Sequence, residues 1–303
     1  MSQAGLAPPP GRQGPGPLPR ALLQALDLRM ARRAHSPLPG EHRAPGVGQG
    51  TELAQLRPYE VGDDVRMLDA AATARTGEPH VRLHVPERAL TTWLVVDVSA
   101  SMAFGTVDRL KADVAEGVAI AVGQLAVRRG GRLAMVTFGA AKPGLMPPTG
   151  GRQAVARVRH ALDEGVALDG QRTGDGELAR GLSRVGKIAR ASGLVVVISD
   201  FRDEQGWQRE LRRLALRHSA VAVEIRDPRE EQLPAVGRLA VVDPETGRIV
   251  EVDTSRSRLR ERFAAAEVDR RASLAADLQR ARVEHIALST EGEWLRDLGR
   301  GLR

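Results

Sequence analysis

The 303-residue chain has no cysteine, which excludes a disulfide framework, a thiolate metal site and a cysteine nucleophile. No apolar run approaches the ~18 residues that span a bilayer. The first residues, rich in proline and glycine, lack the apolar core of a secretory signal. A soluble, cytoplasmic protein is therefore expected. Aromatic residues make up only 3%, leaving few rings to stack on nucleic-acid bases. Lysine is scarce too: Lys111, Lys142 and Lys187 are three of 45 basic residues. The arginines interleave with acids, as in residues 256–262. The net charge of +7 thus reads as an arginine-rich, solvated surface, and no nucleic-acid partner is expected.

Several chemistries lack their signatures. The turn after the first long strand, Asp97 to Gly105, has one glycine, so it is not a dinucleotide fingerprint. There is no Walker loop, and neither Ser99 nor Ser101 lies in Gly-x-Ser-x-Gly. A histidine zinc site is not expected either.

What is present centres on residues 91–102. An apolar, β-branched run ends in Asp97-x-Ser99-x-Ser101. Such a run suits a strand buried on both faces of a parallel sheet covered by helices. Open α/β sheets bind their ligands at the carboxyl ends of the strands. One carboxylate and two hydroxyls at i, i+2 and i+4 of an extended chain face one side, and oxygen ligands suit a hard cation such as Mg2+. A second buried run, Leu194 to Ser199, ends in Asp200. Capping of the following helices is the competing role for all these groups.

Along the chain, residues 1–19 have the composition of a disordered Pro/Gly-rich tail. Residues 20–88 form a lead-in. It begins with an amphipathic helix over Leu18 to Ala34, with Leu22, Leu26 and Met30 in register. That helix suits packing on its own domain or, alternatively, a membrane surface. An irregular Gly/Pro connector follows over Gly40–Gly50. Charges of both signs then crowd residues 51–88, as in a salt-bridged surface. Residues 89–303 alternate strand and helix, with strands beginning near Trp93, Leu133, Leu194, Ala220 and Val283. This alternation predicts an α/β fold with a doubly wound, mostly parallel sheet. A small β-hairpin, Gly237–Val242 with Arg248–Val252, is expected as an insertion. The loop around Pro143–Gly151 has room for a short edge strand.

The Asp97-x-Ser99-x-Ser101-Met102 turn resembles the metal-ion-dependent adhesion site of von Willebrand factor type A domains. More specifically, the chain resembles the domain-of-unknown-function-58 family, whose members often accompany MoxR-type AAA+ ATPases. The similarity runs through Arg57-Pro58-Tyr59-Glu60-Val61-Gly62-Asp63-Asp64-Val65-Arg66, Asp69 and Ala74-Arg75. It continues through Ile198-Ser199-Asp200-Phe201 and Asp243-Pro244-Glu245-Thr246-Gly247, covering about residues 40–303. The resemblance implies a three-layer, Rossmann-like fold. It also implies a divalent cation, Mg2+, on Asp97, Ser99 and Ser101, with Asp200 nearby or through water. The chain departs from the family pattern at Ala70, where Trp is usual, and at Gly176, where the adhesion-site Thr is expected. Thr173 or Asp175 is the substitute ligand in the same loop.

Two functions follow as expectations. The first is a non-enzymatic interaction module, partner or adaptor of a MoxR-type ATPase in protein remodelling or complex maturation. The second is an Mg2+-dependent phosphate-ester hydrolase using Asp97 and Asp200. Arg202 is the only basic residue that sequence proximity places near either strand end, which favours the first.

Overall fold

A computed structural model of the chain describes residues 11–24, 26, 52–85, 90–168, 170, 174–203, 206–244 and 246–302, with the backbone alone at 52–55 and 82–85. Thr173, the connector Gly40–Gly50, residues 1–10 and the amphipathic segment after Leu26 lie outside the described residues. The chain divides into two compact units, residues 1–38 with 90–303 and residues 39–89. Among the described residues no helix is long and apolar enough to cross a membrane.

The smaller unit has more regular structure than its charge pattern suggests. Strands β1 (Glu52–Pro58) and β2 (His80–Val85) pair antiparallel. Between them runs helix α1 (Ala70–Thr76), whose N-cap Asp69 accepts from the Ala72 amide at 2.7 Å. Gly77 ends it in the left-handed region (φ 77), where a Cβ is disfavoured. The expected salt-bridging is represented by Arg57 and Asp63, 2.7 Å apart.

The larger unit holds a six-stranded sheet in the order β10-β7-β6-β3-β4-β5. Its strands are β3 (Thr91–Asp97), β4 (Arg132–Phe138), β5 (Leu145–Gly150), β6 (Leu194–Ser199), β7 (Ser219–Arg226) and β10 (Glu284–Ser289). All pairings are parallel except that of the edge strand β5. The doubly wound fold read from the strand–helix alternation is therefore the observed one. Strand periodicity divides the core: Leu94 and Val96 enter one apolar cluster, Trp93 and Val95 the other. Helices α2 (Lys111–Arg128), α3 (Arg152–Asp163) and α8 (Trp294–Gly301) contribute to the first cluster. Helices α4 (Glu177–Ile188), α5 (Trp207–Ala215) and α7 (Ser257–Arg280) contribute to the second. Both faces are thus covered, which explains why the central strands are apolar throughout. The hairpin forms as expected from β8 (Arg238–Val242) and β9 (Ile249–Asp253). The short helix α6 is Pro228–Glu231.

Residues 11–19 correct the expectation of disorder. The Gln13 and Gly14 amides donate to Asp113 at 3.1 and 2.9 Å. Arg12 meets Glu116 at 2.9 Å, and Trp294 Nε1 donates to the Pro15 carbonyl at 3.0 Å. A Pro/Gly-rich strand cannot build a core, but its free amides and carbonyls can be satisfied by one already formed. The boundary drawn before the α/β domain shifts for a related reason. Leu23 and Leu26 are buried in the first apolar cluster, so the start of the amphipathic segment packs on this domain.

Candidate functional site

Strand order reverses at β3, with β4 and β5 on one side and β6, β7 and β10 on the other. Ligand sites of open α/β sheets form in the crevice outside such a switch point. Val96 pairs with Ile198, so Asp97 on β3 and Ser199-Asp200 after β6 emerge side by side at one edge. After Asp97 the chain turns through Ser99 into a short 3-10 turn, Ala100–Ala103. Gly139 makes this turn possible: a Cβ there would come within 2.7 Å of Ser99 Cβ, and its φ is +84.

The structure brings Asp97, Ser99, Ser101 and Asp200 together. Asp97 Oδ1 accepts from the Ser99 amide at 2.9 Å and Oδ2 from Ser199 Oγ at 2.6 Å. The Ser99 and Ser101 hydroxyls lie 3.0 Å apart, and Ser101 hydrogen-bonds Asp200. All four residues are buried, Asp97 at 5% exposure and Asp200 at 3%. Just beyond, Phe201 takes a left-handed conformation (φ 53), costly for a bulky side chain and concentrated at functional sites. Its ring is held edge-on against Trp207, 5.5 Å between centroids.

The chain supplies a cation of its own. Lys111, fully buried, places Nζ 2.7 Å from Asp200 Oδ2 and 2.8 Å from Glu230 Oε1. This corrects the expectation that Arg202 is the only base near the strand ends. Arg202 is present but stands further out, with Nε 3.3 Å from Glu230. Lys111 is the first residue of α2, where the helix dipole disfavours a cation; two carboxylates offset that cost. Glu230 is carried by α6, anchored through Asp227, which accepts from Thr106 N at 2.8 Å and Thr290 Oγ1 at 2.7 Å. Lys111 and Glu230 escape a reading of the strand ends because they lie 14 and 133 residues beyond Asp97. One signal was visible: Lys111 is among three lysines in an arginine-rich chain.

The electrostatics of the two aspartates diverge. Burial, and then the like charge of Asp200, push the Asp97 carboxyl up to about 7 against the hydrogen bonds of Ser199 and Ser99. Burial acts on Asp200 in the same sense, but the Lys111 ammonium outweighs it and the pKa falls below the ordinary value. Burial likewise opposes the charge of Lys111, and its two carboxylate partners more than compensate, raising its pKa.

Among the described residues no three His, Cys, Asp or Glu side chains are grouped to hold a metal. A cation at this edge would rest on the Asp97 carboxylate and the Ser99 and Ser101 hydroxyls, an all-oxygen set that fits a hard divalent ion. Thr173 lies outside the described residues. Gly176, where the adhesion-site Thr is expected, has φ 78, a backbone that a β-branched residue adopts only under strain. The Gly176 and Leu178 amides are instead capped by Asp203, at 3.1 and 3.0 Å.

Residues 55–273 match the family described as "Protein of unknown function DUF58". The chain belongs to the DUF58 family. The uncharacterized protein Rv1480 of Mycobacterium tuberculosis H37Rv is 37% identical over 281 residues, which cover 92% of this DUF58 chain and 87% of Rv1480. Mb1516 of Mycobacterium bovis matches to the same extent. Among solved structures, BatB from Bacteroides thetaiotaomicron is similar at 11% identity and TM-score 0.43, over 70% of this chain and 97% of BatB. The SpRpn10 VWA domain is similar at 15% identity and TM-score 0.35, over 69% and 94% of the two chains.

Proposed function

We propose that this DUF58 chain is a non-enzymatic, cytoplasmic protein-interaction module that docks a MoxR-type AAA+ ATPase through the Asp97–Ser101 rim, with Mg2+ bridging to an acidic side chain of the partner. One observation carries the reading. Asp97 is buried with only hydroxyl and amide partners, whereas the neighbouring Asp200 already has an ammonium. A divalent cation held by Asp97, Ser99 and Ser101 would supply the missing positive charge. It would also retain affinity for a further carboxylate, since one carboxylate and two hydroxyls neither fill nor neutralise its shell. The MoxR-type partner rests on the family resemblance. The hairpin offers adjoining surface: Gly170 N donates to the Pro244 carbonyl at 2.9 Å, and Ala167 N of the same loop to the Val98 carbonyl at 2.8 Å. Ile249, Val242 and Val250 on the hairpin are exposed.

The alternative, phosphate-ester hydrolysis with Asp97 and Asp200, is less well supported. The one lysine beside the carboxylates is fully buried, and two of its three N–H donors are committed to them, so it does not present a clamp to a substrate phosphate in solvent.

The test is to titrate a MoxR-type ATPase onto the protein with Mg2+ and with EDTA. Tighter binding with Mg2+ that is lost in a folded Asp97→Ala variant is expected. Equal affinity in all three conditions refutes the metal bridge, and Mg2+-dependent phosphatase turnover abolished by Asp97→Ala would favour the hydrolase.

A further inference from the structure

The outer face of α2 is covered by a segment from the far end of the sequence. Residues 11–17, Gly-Arg-Gln-Gly-Pro-Gly-Pro, cross it as an irregular strap. Asp113, Glu116 and Gly117, at i, i+3 and i+4, share that face, and Trp294 of α8 stands beside them. Each makes a different contact. The two oxygens of Asp113 take one strap amide apiece, Oδ2 from Gln13 and Oδ1 from Gly14. The Arg12 guanidinium reaches Glu116 at 2.9 Å and the Leu162 carbonyl, near the end of α3, at 3.3 Å. The Trp294 indole donates to the Pro15 carbonyl at 3.0 Å. A Cβ at Gly117 would come within 2.8 Å of Pro15 Cβ and nearer still to the Trp294 ring. The glycine thus opens the notch where proline and indole meet.

The two sides of this contact are unequal. On the groove side Asp113, Glu116 and Trp294 are buried, at 0%, 7% and 3% exposure, on helices that carry the core. On the strap side no residue from 11 to 22 is buried. The strap is held by directed polar contacts with little apolar area, so it opens at a lower free energy than the domain unfolds. The contacts are also selective. Arg12 is recognised by charge, Gly14 by a left-handed backbone (φ 69), and Pro15 by the notch and the indole N–H. Gln13 is exposed and contributes its amide alone. The pattern recognised is Arg-x-Gly-Pro, and aromatic-lined grooves are a recurrent means of holding proline-bearing segments.

We infer that the α2–α8 groove is a docking site for an Arg-x-Gly-Pro segment of a partner protein, and that residues 11–17 are the tethered competitor that keeps it closed. The groove is separate from the Asp97–Ser101 rim and needs no metal. Tethering gives the strap a high effective concentration, so a partner enters only with contacts beyond those the strap makes. A second copy of the chain is the poorer occupant. It offers the same seven residues and no advantage over the strap already in place.

The test uses the full chain and a fluorescent peptide spanning Gly11 to Pro19. Gly14→Pro opens the strap, because proline lacks the amide that Asp113 accepts and its ring cannot adopt a positive φ. The peptide should bind this variant saturably by anisotropy and return the Trp294 indole N–H resonance toward its position in the parent. It should bind the parent at least ~tenfold more weakly, since the tethered strap competes. Adding Glu116→Gln to the variant should weaken binding several-fold, and a peptide that itself carries Gly14→Pro should not bind. Hydrogen exchange in the parent supplies an independent measurement: the Gln13 and Gly14 amides should exchange by local opening, far faster than those of α2. The inference is overturned if the Gly14→Pro variant fails to bind the peptide, if the parent binds it equally well, or if the two strap amides exchange only on global unfolding. A parent dimer that Gly14→Pro abolishes would assign the groove to a second copy and overturn the partner segment.

Discussion

Two buried carboxylates near the carboxyl edge of the same sheet have opposite fates. Glu224 on β7 is fully buried, yet it is enclosed by basic side chains: Arg226 at 2.5 Å, Arg270 at 3.1 Å and His285 at 2.9 Å. Burial raises its pKa, but the hydrogen bonds of His285 and Arg226 and their charges prevail and bring it down to about 2. Asp97 on β3 is comparably buried among hydroxyls, with a second carboxylate for company, and rises to about 7. The first cluster is closed in charge and needs nothing more; the second has an anion without a cation. Buried, perturbed groups accompany structural ion networks as well as functional sites. Here the type of partner, more than the depth of burial, separates the two.

The largest effect is expected where the two regimes meet, at Lys111. Lys111→Met removes the shared ammonium and leaves the buried Asp200 and the half-buried Glu230 without it. Removing one partner of a buried pair costs about 3–5 kcal/mol, measurable as a lower urea midpoint at unchanged slope. The variant should also gain a larger Mg2+-dependent rise in stability than the parent, because Asp200 becomes free to share a divalent ion. A fully stable Lys111→Met would mean that the ammonium is not what holds Asp200 charged.

Glu224→Gln comes next. A fall from the ordinary 4.5 to about 2 corresponds to about 3 kcal/mol, all of it present at neutral pH. Because the folded pKa is depressed, this stability is kept above about pH 4.5 and lost as pH falls through about 2. Asp97 has the opposite sign. Its folded pKa is raised, so its contribution is complete below about pH 4 and is lost as pH rises through about 7. In Mg2+-free buffer, unfolding free energies from pH 4 to 8 should show this loss in the parent protein and its absence in Asp97→Asn. Added Mg2+ should flatten the parent's curve. At pH 8 Asp97→Asn should be more stable than the parent by about 2 kcal/mol. That is roughly half of what a three-unit rise represents, since an amide oxygen accepts from only one of the Ser99 amide and Ser199 Oγ. A destabilised Asp97→Asn at pH 8 would show that Asp97 is neutralised by some other group.

Much of the fold was legible because it rests on local pattern. Apolar β-branched runs at 91–97 and 194–199 could only be strands buried on both faces, and Pro244-Glu245-Thr246-Gly247 marked the hairpin turn. The side-by-side placement of Asp97 and Asp200 followed from parallel topology. Residues 51–88 were read by their charge, which hid β1, β2 and α1. Residues 11–19 were misjudged because composition reports what a segment can bury, not what a neighbouring helix can bond to it. Lys111 and Glu230 reach Asp200 from α2 and α6, and Arg270 reaches Glu224 from α7. Nothing in sequence spacing joins such partners; only the packing of helices on the sheet does.

The smallest effects are expected at the two hydroxyls of the rim, and they test whether the open cluster is built for a cation or merely tolerated. Ser99 Oγ and Ser101 Oγ bond each other at 3.0 Å, so Ser99→Ala or Ser101→Ala removes one neutral hydrogen bond, worth about 1 kcal/mol. On stability alone the two variants should be nearly alike, because each hydroxyl also serves one aspartate, Ser99 that of Asp97 and Ser101 that of Asp200. Their Mg2+ responses should be reduced but retained, since Asp97 supplies the charge and each serine only one neutral ligand. The double variant should lose most of the response while remaining folded. If the rim only caps the turn, the stability cost persists and the Mg2+ response of thermal unfolding is the same in parent, single and double variants. That pattern would place Asp97 beside Glu224 as a structural carboxylate and remove the distinction between them.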